Sequence, residues 1–211
     1  MVPLYFVLGM YLEINTINEN LHPEPVTSDS GIKVRIRHLK AAAEKAKALG
    51  FKQYNVFWIK TMIPSLMAVF KHETEPVMLT IQHSGTKMTN ELRTYLSGGG
   101  NLETGSRHTC FLLPLPPGSF AQFKRTDSLE ELLEAHKLGE AFLKENNHIL
   151  ETVTIEEHKK RYVEGMKETV GNVKKMDAWP FRAAWWGISG RGKMYSKSLR
   201  EQGEAGISKA G

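Results

Sequence analysis

The chain has almost no cysteine, because Cys110 is the single one among its 211 residues. A lone cysteine excludes an internal disulfide framework, and it leaves no Cys-x-x-Cys pair for metal binding or redox chemistry. The remaining composition suits an ordinary folded domain, since 41% of the residues are hydrophobic and 24% are charged. A chain of this length buries enough surface to fold without covalent cross-links.

Long hydrophobic runs are missing as well. The most apolar stretch, residues 1–14, carries no charged side chain before Glu13, but a helix that spans a bilayer needs about 20 apolar residues. No Lys or Arg precedes the stretch and no small-x-small cleavage site follows it, as a secretory signal would require. We therefore favour a buried strand or short core helix here. A signal-like or membrane-dipping segment stays open as the alternative.

Motifs of cofactor chemistry are also absent. Residues 187–193 read Gly-Ile-Ser-Gly-Arg-Gly-Lys and match the G-x-x-x-x-G-K frame of a phosphate-binding loop. Met194, however, stands where such a loop needs a Ser or Thr hydroxyl for Mg²⁺. The sequence contains no His-Glu-x-x-His zinc motif, no Gly-x-Ser-x-Gly elbow and no dinucleotide-binding glycine motif after a strand. It therefore predicts no nucleotide, no other cofactor and no metal.

Changes in composition divide the chain into four segments. Residues 1–31 form an apolar segment and a polar linker, 32–147 a folded core, 148–176 a basic helix, and 177–211 a tail rich in tryptophan, basic residues and glycine. Lys and Arg outnumber Asp and Glu by 28 to 23, so the net charge is +5. This excess favours anionic surfaces, but it is too small to indicate nucleic-acid binding.

Within the core, helical patterns flank a series of strand-like runs. Residues 39–49 are rich in Ala, Lys and Glu and end before Gly50, which predicts a helix with a left-handed cap. Ser128 to Glu131 reads as a capping box and begins a second helix. The turns between the runs are too short for crossover helices, which favours antiparallel pairing. The runs are 54–59, 65–71, 77–83, 87–96 and 107–115, followed by a short one at 120–124.

These patterns predict an α+β fold. We expect an antiparallel meander sheet of about five strands with two helices packed on one of its faces. A C-terminal helical extension follows, because Thr154 to Glu157 forms a second capping box and the helical pattern runs to about Lys175. Its apolar stripe is narrow, so it packs either on its own domain, which we favour, or on a partner. The last residues are predicted to form a flexible tail.

The tail concentrates aromatic residues beside basic ones. Three of the four tryptophans lie within eight residues, at Trp179, Trp185 and Trp186, and Phe181 lies among them. Indole rings favour the interface between membrane and water, and adjacent Lys and Arg attract anionic headgroups. We therefore predict a ligand- or surface-binding region, with the alternative that the tryptophans dock back onto the domain. Its candidate residues are Trp179, Phe181, Trp185, Trp186, Arg191 and Lys193.

Polar side chains with catalytic potential are few. His83 and His108 lie near the ends of predicted strands, and Cys110 shares a strand face with His108 because the two are two residues apart. Such residues could converge into a metal site or a thiol–imidazole pair, with Glu91 as a further member. More often, strand-end histidines are exposed polar residues and a buried cysteine is a small hydrophobe.

Two classes of function stay open. The favoured one is a non-enzymatic α+β binding module that contacts a membrane surface, an apolar ligand or a protein partner; it predicts an apolar cavity, an exposed tryptophan-rich patch and no cluster of perturbed titratable groups. The alternative is a small enzyme with a His/Cys site on the sheet. An anionic membrane surface or a protein is the expected partner, and nucleic acid is not favoured. The expected location is cytoplasmic, with membrane association through either terminus left open.

Overall fold

An open, mostly antiparallel sheet of eight strands organises the protein. The computed structural model describes residues 7–9, 11–12, 14–15, 23–25, 30–59, 65–84, 87–107, 113, 115–116, 118–188 and 195–204. Its strands are β1 (Pro23–Pro25), β2 (Phe51–Ile59), β3 (Ser65–His72), β4 (Met78–Ser84), β5 (Lys87–Leu96), β6 (Asn101–Gly105), β7 (Phe120–Phe123) and β8 (Leu150–Glu151). Its helices are α1 (Ser30–Ala48), α2 (Leu129–Glu145), α3 (Ile155–Lys174), α4 (Trp179–Ile188) and α5 (Leu199–Glu204). A further helical segment lies within residues 7–15.

The strands follow one another across the sheet in chain order from β1 to β7, and neighbours are antiparallel from β1 to β6. Strand β8 pairs with the end of β5. Tyr95 pairs with Asn101 of β6 on one side and with Glu151 of β8 on the other. Strand β8 therefore lies on the same side of β5 as β4, beyond the end of β4. The predicted α+β class and antiparallel meander are therefore present, but the sheet has eight strands where the sequence predicted about five.

The pairing of β6 with β7 is parallel, which the sequence analysis did not predict. The described residues of the connection between them, 106–107, 113, 115–116 and 118–119, contain no helix. Leu113 and Leu115 of this connection pack over one face of the sheet. The predicted strand at 107–115 lies mostly outside the described residues, and β6 forms at 101–105, where no strand was predicted.

Helices α1 and α2 cover one face of the sheet, which we call the first face. Alternate residues of β3 and β4, such as Phe70 and Leu79, point to it because successive side chains in a strand face opposite ways. The contact stripe of α1 consists of Leu39, Ala42, Ala43 and Ala46, at spacings of three and four residues. Small alanines let this helix lie close to the sheet.

The opposite, second face carries α3, α4 and the N-terminal helical segment. Val170 and Val173 of α3, Ala183 of α4 and Ile14 of the N-terminal segment join one buried cluster with the strand residues Phe57, Ile59, Met67, Val69 and Met78. Helices thus lie on both faces, and the predicted packing of two helices on one face describes only half of the structure. Helix α3, which corresponds to the predicted C-terminal helical extension, packs on the sheet of its own domain, as the favoured interpretation of the sequence predicted.

The helix ends follow the sequence signals in part. The Ser128 and Thr154 hydroxyls each accept a hydrogen bond from the backbone N–H three residues later, at 3.2 Å, as N-caps do. The reciprocal half of the first capping box is replaced, since the Ser128 N–H donates to the Thr126 hydroxyl. Gly50 has φ +86°, so the predicted left-handed cap is present after α1.

Candidate functional site

A group of exposed apolar side chains lies on the second-face helices, on the side turned away from the sheet. Each exposes between 45% and 57% of its surface. We call this group the aromatic ridge, and its members are Leu8, Tyr11, Leu12, Phe181 and Trp185. The two segments that supply it are adjacent, because the Tyr11 and Trp179 rings stack at 5.4 Å with an interplanar angle of 16°. The ridge is therefore built from residues more than 160 positions apart in the chain.

The periodicity of each segment explains the ridge. In the N-terminal segment, Val7 and Ile14 are buried while Leu8, Tyr11 and Leu12 are exposed. In α4, Ala183 and Ala184 are buried, while Phe181 and Trp185 share the outward face with Arg182 because positions three and four apart lie together on a helix. A helix that is apolar on both sides is normally enclosed on both. Here one side faces outward.

The predicted surface-binding residues are therefore divided between two environments. Phe181 and Trp185 are exposed, whereas Trp179 and Trp186 are partly buried and pack against the domain. Both sequence interpretations, an exposed surface and tryptophans docked on the domain, thus apply to different residues. Arg191 and Lys193 lie outside the described residues. The N-terminal segment was left open as membrane-dipping, but its contact with α4 was not predicted, because a contact between distant parts of the chain leaves no local signal.

The helices on the second face, α3, α4 and the N-terminal segment, form what we call the second-face cover, together with Tyr195. Beneath it lies a buried ionic cluster formed by Glu91, Arg93 and Glu103. The Nη2 atom of Arg93 contacts Glu91 Oε1 at 2.7 Å and Glu103 Oε1 at 2.6 Å. Arg93 and Glu103 are register partners on adjacent strands, and Glu91 lies two residues from Arg93 on the same face. The side chain of Arg93 is 6% exposed, that of Glu103 11% and that of Glu91 17%.

Aromatic rings enclose this cluster. The guanidinium of Arg93 lies over the Tyr162 ring of α3, 4.8 Å from its centroid. Beside it, the Tyr95 hydroxyl bonds His158 Nδ1 at 3.0 Å. Burial, and then the positive charge of Arg93, lowers the pKa of His158 to about 3, so this imidazole is neutral.

Burial raises the pKa of Glu103 to about 7, with the nearby Glu91 charge acting in the same direction and Arg93 opposing both. Burial, and then the negative charge of Glu103, raises the pKa of the Tyr195 hydroxyl. Two carboxylates thus share one guanidinium, and burial favours the protonated form of Glu103.

The first face holds a different polar network, centred on a neutral imidazole. His136 of α2 lies between two threonines of the sheet, with Nδ1 2.8 Å from Thr104 Oγ1 and Nε2 2.9 Å from Thr94 Oγ1. Thr94 donates to Glu140 at 2.6 Å, and Gln122 donates to Thr104 at 3.1 Å. These bonds form a consistent chain when His136 carries its proton on Nε2. Burial lowers the pKa of His136 to about 3, and the network attaches α2 to the sheet.

The candidate His/Cys site is only partly described. His108 and Cys110 lie outside the described residues. The His83 side chain is buried on the first face, where its Nε2 lies 3.0 Å from Nδ1 of His38 in α1. Glu91 lies on the second face and bonds Arg93, so it cannot join His83. The further member proposed for this site is therefore wrong, because strand alternation places the two side chains on opposite sides of the sheet.

Two further features bear on ligands. A shallow, mainly apolar groove of about 360 Å³ lies on the first-face side, lined by Leu49, Glu130, Leu133, Glu134, Lys137 and Leu138. It is remote from the ridge and from the ionic cluster, which lie on the second face. Within the described ranges, no group of three or more His, Cys, Asp or Glu residues is arranged to hold a metal ion. In that same part of the chain, no helix is both long enough and apolar enough to cross a bilayer.

The sequence reasoning missed the ionic cluster, although one signal was present. In the run Glu91-Leu-Arg93-Thr-Tyr95, the two charged residues lie two positions apart and share one strand face, but charged residues on a strand are usually assigned to solvent. Only the positions of α3 and of the 106–119 connection make this face interior. The binding-module hypothesis predicted no cluster of perturbed titratable groups, and this part of it is wrong.

When the chain is compared with known proteins, no family model, curated protein sequence or solved structure matches it.

Proposed function

We propose that this protein is a non-enzymatic module that docks on the surface of an anionic membrane through the aromatic ridge. The observation that carries the proposal is the juxtaposition of two helical segments, each with an outward apolar face, fixed side by side by the Tyr11–Trp179 stack. Among the described residues only two other large hydrophobic side chains, Leu138 and Ile149, are comparably exposed, and neither belongs to the ridge. Clustering of this kind is typical of interaction surfaces, whereas single exposed hydrophobes are normal.

The chemistry of the ridge suits a lipid interface. Trp and Tyr combine an apolar ring with one polar group, which favours the headgroup level of a bilayer, and Leu and Phe fill the acyl boundary. Helices that lie in the interfacial plane need an apolar outward face but no great length. The absence of a helix fit to span a bilayer in the described part of the chain agrees with docking rather than crossing.

Charge supports an anionic surface as the occupant. Arg182 lies on the exposed face of α4 between Phe181 and Trp185, and Lys175 is exposed one turn before the helix begins. The net charge of the chain is +5. A basic residue near an anionic leaflet contributes about 1 kcal/mol to binding, and this contribution weakens as salt rises.

Cosedimentation with vesicles tests the proposal. We expect the full-length protein to bind vesicles of phosphatidylcholine mixed with phosphatidylserine, and to bind pure phosphatidylcholine more weakly. The double variant Phe181→Ser/Trp185→Ser should bind about 30-fold more weakly, because each lost ring removes about 1 kcal/mol of apolar burial. A blue shift of tryptophan fluorescence on binding, absent in the variant, would place Trp185 in the lipid.

The matched control is the double variant Leu138→Ser/Ile149→Ser, which removes the two exposed hydrophobes outside the ridge. It should bind vesicles as the wild type does. Equal loss in both double variants would contradict the proposal, as would failure of the wild type to bind either vesicle. Sedimentation velocity without lipid tests the alternative that a second copy of this chain packs on the ridge. If the ridge variant only converts a dimer to a monomer, the ridge is a contact between two copies and the membrane proposal is wrong.

A further inference from the structure

The ionic cluster under the second-face cover contains two carboxylates and one guanidinium. A single guanidinium neutralises only one of them. Glu91 and Glu103 contact the same atom, Arg93 Nη2, so their oxygens are held close together. With both ionised, the enclosed cluster has one net negative charge, which is costly away from water. One proton on the pair removes that excess. The geometry therefore makes the cluster a site that takes up or releases a single proton.

A neighbouring contact connects the cluster to α4, the helix that carries the ridge residues Phe181 and Trp185. Ala121, the register partner of Glu103, packs with Tyr195, and Trp186 of α4 joins the same small cluster. Trp186 is adjacent in sequence to the ridge residue Trp185. Tyr195 and Trp186 therefore contact the sheet at the position next to Glu103.

We propose that Glu91, Arg93 and Glu103 form a proton-controlled anchor for α4 and Tyr195, the part of the second-face cover that packs beside Glu103. With one proton on the carboxylate pair, the cover packs on a neutral site. When that proton leaves, the uncompensated charge favours entry of water and loosening of the cover. The consequence for lipid rests on the function proposed above: a loosened α4 presents a disordered ridge, so docking weakens as the pH rises.

The groups facing the carboxylate pair support a single titration near neutral pH. From the sheet these are Arg93, Tyr95 and Asn101, from α3 His158 and Tyr162, and from the cover Tyr195. Burial raises the pKa of Tyr95 and of Tyr195, and His158 has a pKa of about 3. Between pH 6 and pH 8 these neighbours keep their charge state, and Glu103, with a pKa of about 7, does not.

Hydrogen exchange at pH 6 and pH 8, corrected for intrinsic rates, tests the anchor without lipid. Protection of peptides from α4 should fall by about tenfold in the wild type between these values, as a single titration around pH 7 allows. The isosteric variant Glu103→Gln should show the same protection at both. Glu140→Gln is the matched control, since Glu140 is a buried carboxyl on the first face, and it should keep the wild-type response.

Vesicle binding at the same two pH values then connects the anchor to the ridge. Wild-type binding should be several-fold weaker at pH 8, and Glu103→Gln should remove the difference. A pH-independent cover in the wild type overturns the anchor, and so does a Glu103→Gln variant that keeps the wild-type response; Glu91→Gln serves if Glu103→Gln does not fold. Absence of vesicle binding at either pH overturns the membrane function, while the exchange measurement still decides the anchor.

Discussion

Both faces of the sheet bury polar groups, the first mainly through hydrogen bonds and the second through ion pairs. On the first face, His136, Thr94 and Thr104 form a hydrogen-bonded chain that ends on the Glu140 carboxyl. On the second face, Arg93 contacts two carboxylates and a tyrosine ring, so an ion pair with one excess carboxylate is enclosed. Buried polar networks that are fully hydrogen-bonded rigidify a core, whereas buried ions respond to small changes in protonation. The first face therefore serves as the fixed side of the protein and the second as its responsive side.

This contrast extends to the helices. Helix α1 lies against the first face through alanines. Helix α2 lies there through leucines and Gly139, where an added Cβ would meet Gln122 Nε2 at 2.8 Å. On the second face, Gly165 and Gly171 of α3 have nothing within 4 Å of an added Cβ. Close contact on one side and spare room on the other are consistent with a cover that loosens.

Removal of the guanidinium should break the second face with the largest effect. Arg93→Met leaves two buried carboxylates without a counter-ion, and we expect the free energy of unfolding at neutral pH to fall by about 3–5 kcal/mol. Urea denaturation measures the loss. The triple variant Glu91→Leu/Arg93→Met/Glu103→Leu should recover most of it, because apolar replacements of a whole buried ionic group are often neutral or stabilising. A triple variant as unstable as Arg93→Met would show that the ions contribute more than mutual neutralisation.

The pH dependence of stability should distinguish the buried histidines from Glu103 by the sign of their contributions. His136 has a folded-state pKa of about 3 against 6.5 in the unfolded chain, so only the unfolded state takes up its proton as pH falls below 6.5. It should therefore destabilise the fold by about 2 kcal/mol between pH 7 and pH 5. Glu103 acts oppositely: its folded-state pKa of about 7 exceeds the usual 4.5, so its contribution is full below pH 4.5 and is lost as pH rises through 7.

Denaturation at several pH values checks these signs. His136→Gln should flatten the loss of stability towards pH 5, and Glu103→Gln should steepen it. His158→Gln repeats the first effect on the second face, since the pKa of His158 is also about 3. Identical pH profiles for wild type and Glu103→Gln would mean that Glu103 stays ionised in the folded protein.

Gly139→Ala should reveal the tight contact of the first face. The new methyl group would also lie 3.1 Å from Leu102 Cδ2, so the helix or the Gln122 side chain must shift. We expect a loss of about 1–3 kcal/mol, typical of overpacking, measured as a lower midpoint in urea. A gain in stability would show that α2 has room to move away from the sheet.

The smallest effect is expected from the matched change on the second face, Gly165→Ala in α3. Its added methyl group meets nothing within 4 Å, and alanine is favoured over glycine within a helix by about 1 kcal/mol. We therefore expect a gain of up to about 1 kcal/mol, measured in the same denaturation series. A loss would place a close neighbour against α3 and remove the contrast between the two helical layers.

The sequence predicted those features that depend on neighbouring residues. The Ser128 and Thr154 caps, the left-handed Gly50 and five of the strand-like runs correspond to the structure because hydrogen-bond geometry and side-chain alternation act over a few positions. The region of Trp179 to Trp186 was also identified as a candidate surface, since its composition alone is unusual. Its division into exposed and docked rings required the direction of each helix face.

The remaining features depend on contacts between distant segments. The parallel pairing of β7, the helices on both faces and the third member of the ionic cluster, Glu103, follow from register and from the path of the 106–119 connection. A shift of one residue in register would turn Glu103 to the other face of the sheet. No local pattern encodes that choice, because the energy that sets it comes from the burial of whole faces.

By itself, the sequence determined the secondary-structure signals, the mixed α+β class and an aromatic, basic C-terminal region, because each of these arises from residues close together in the chain. The tertiary structure alone decided that residues 7–15 lie against α4 and that Glu91, Arg93 and Glu103 are enclosed together. The physical reason is that burial is a property of surfaces brought together by folding. The pKa of a carboxylate on a strand rises towards neutral pH only when another part of the chain removes its water.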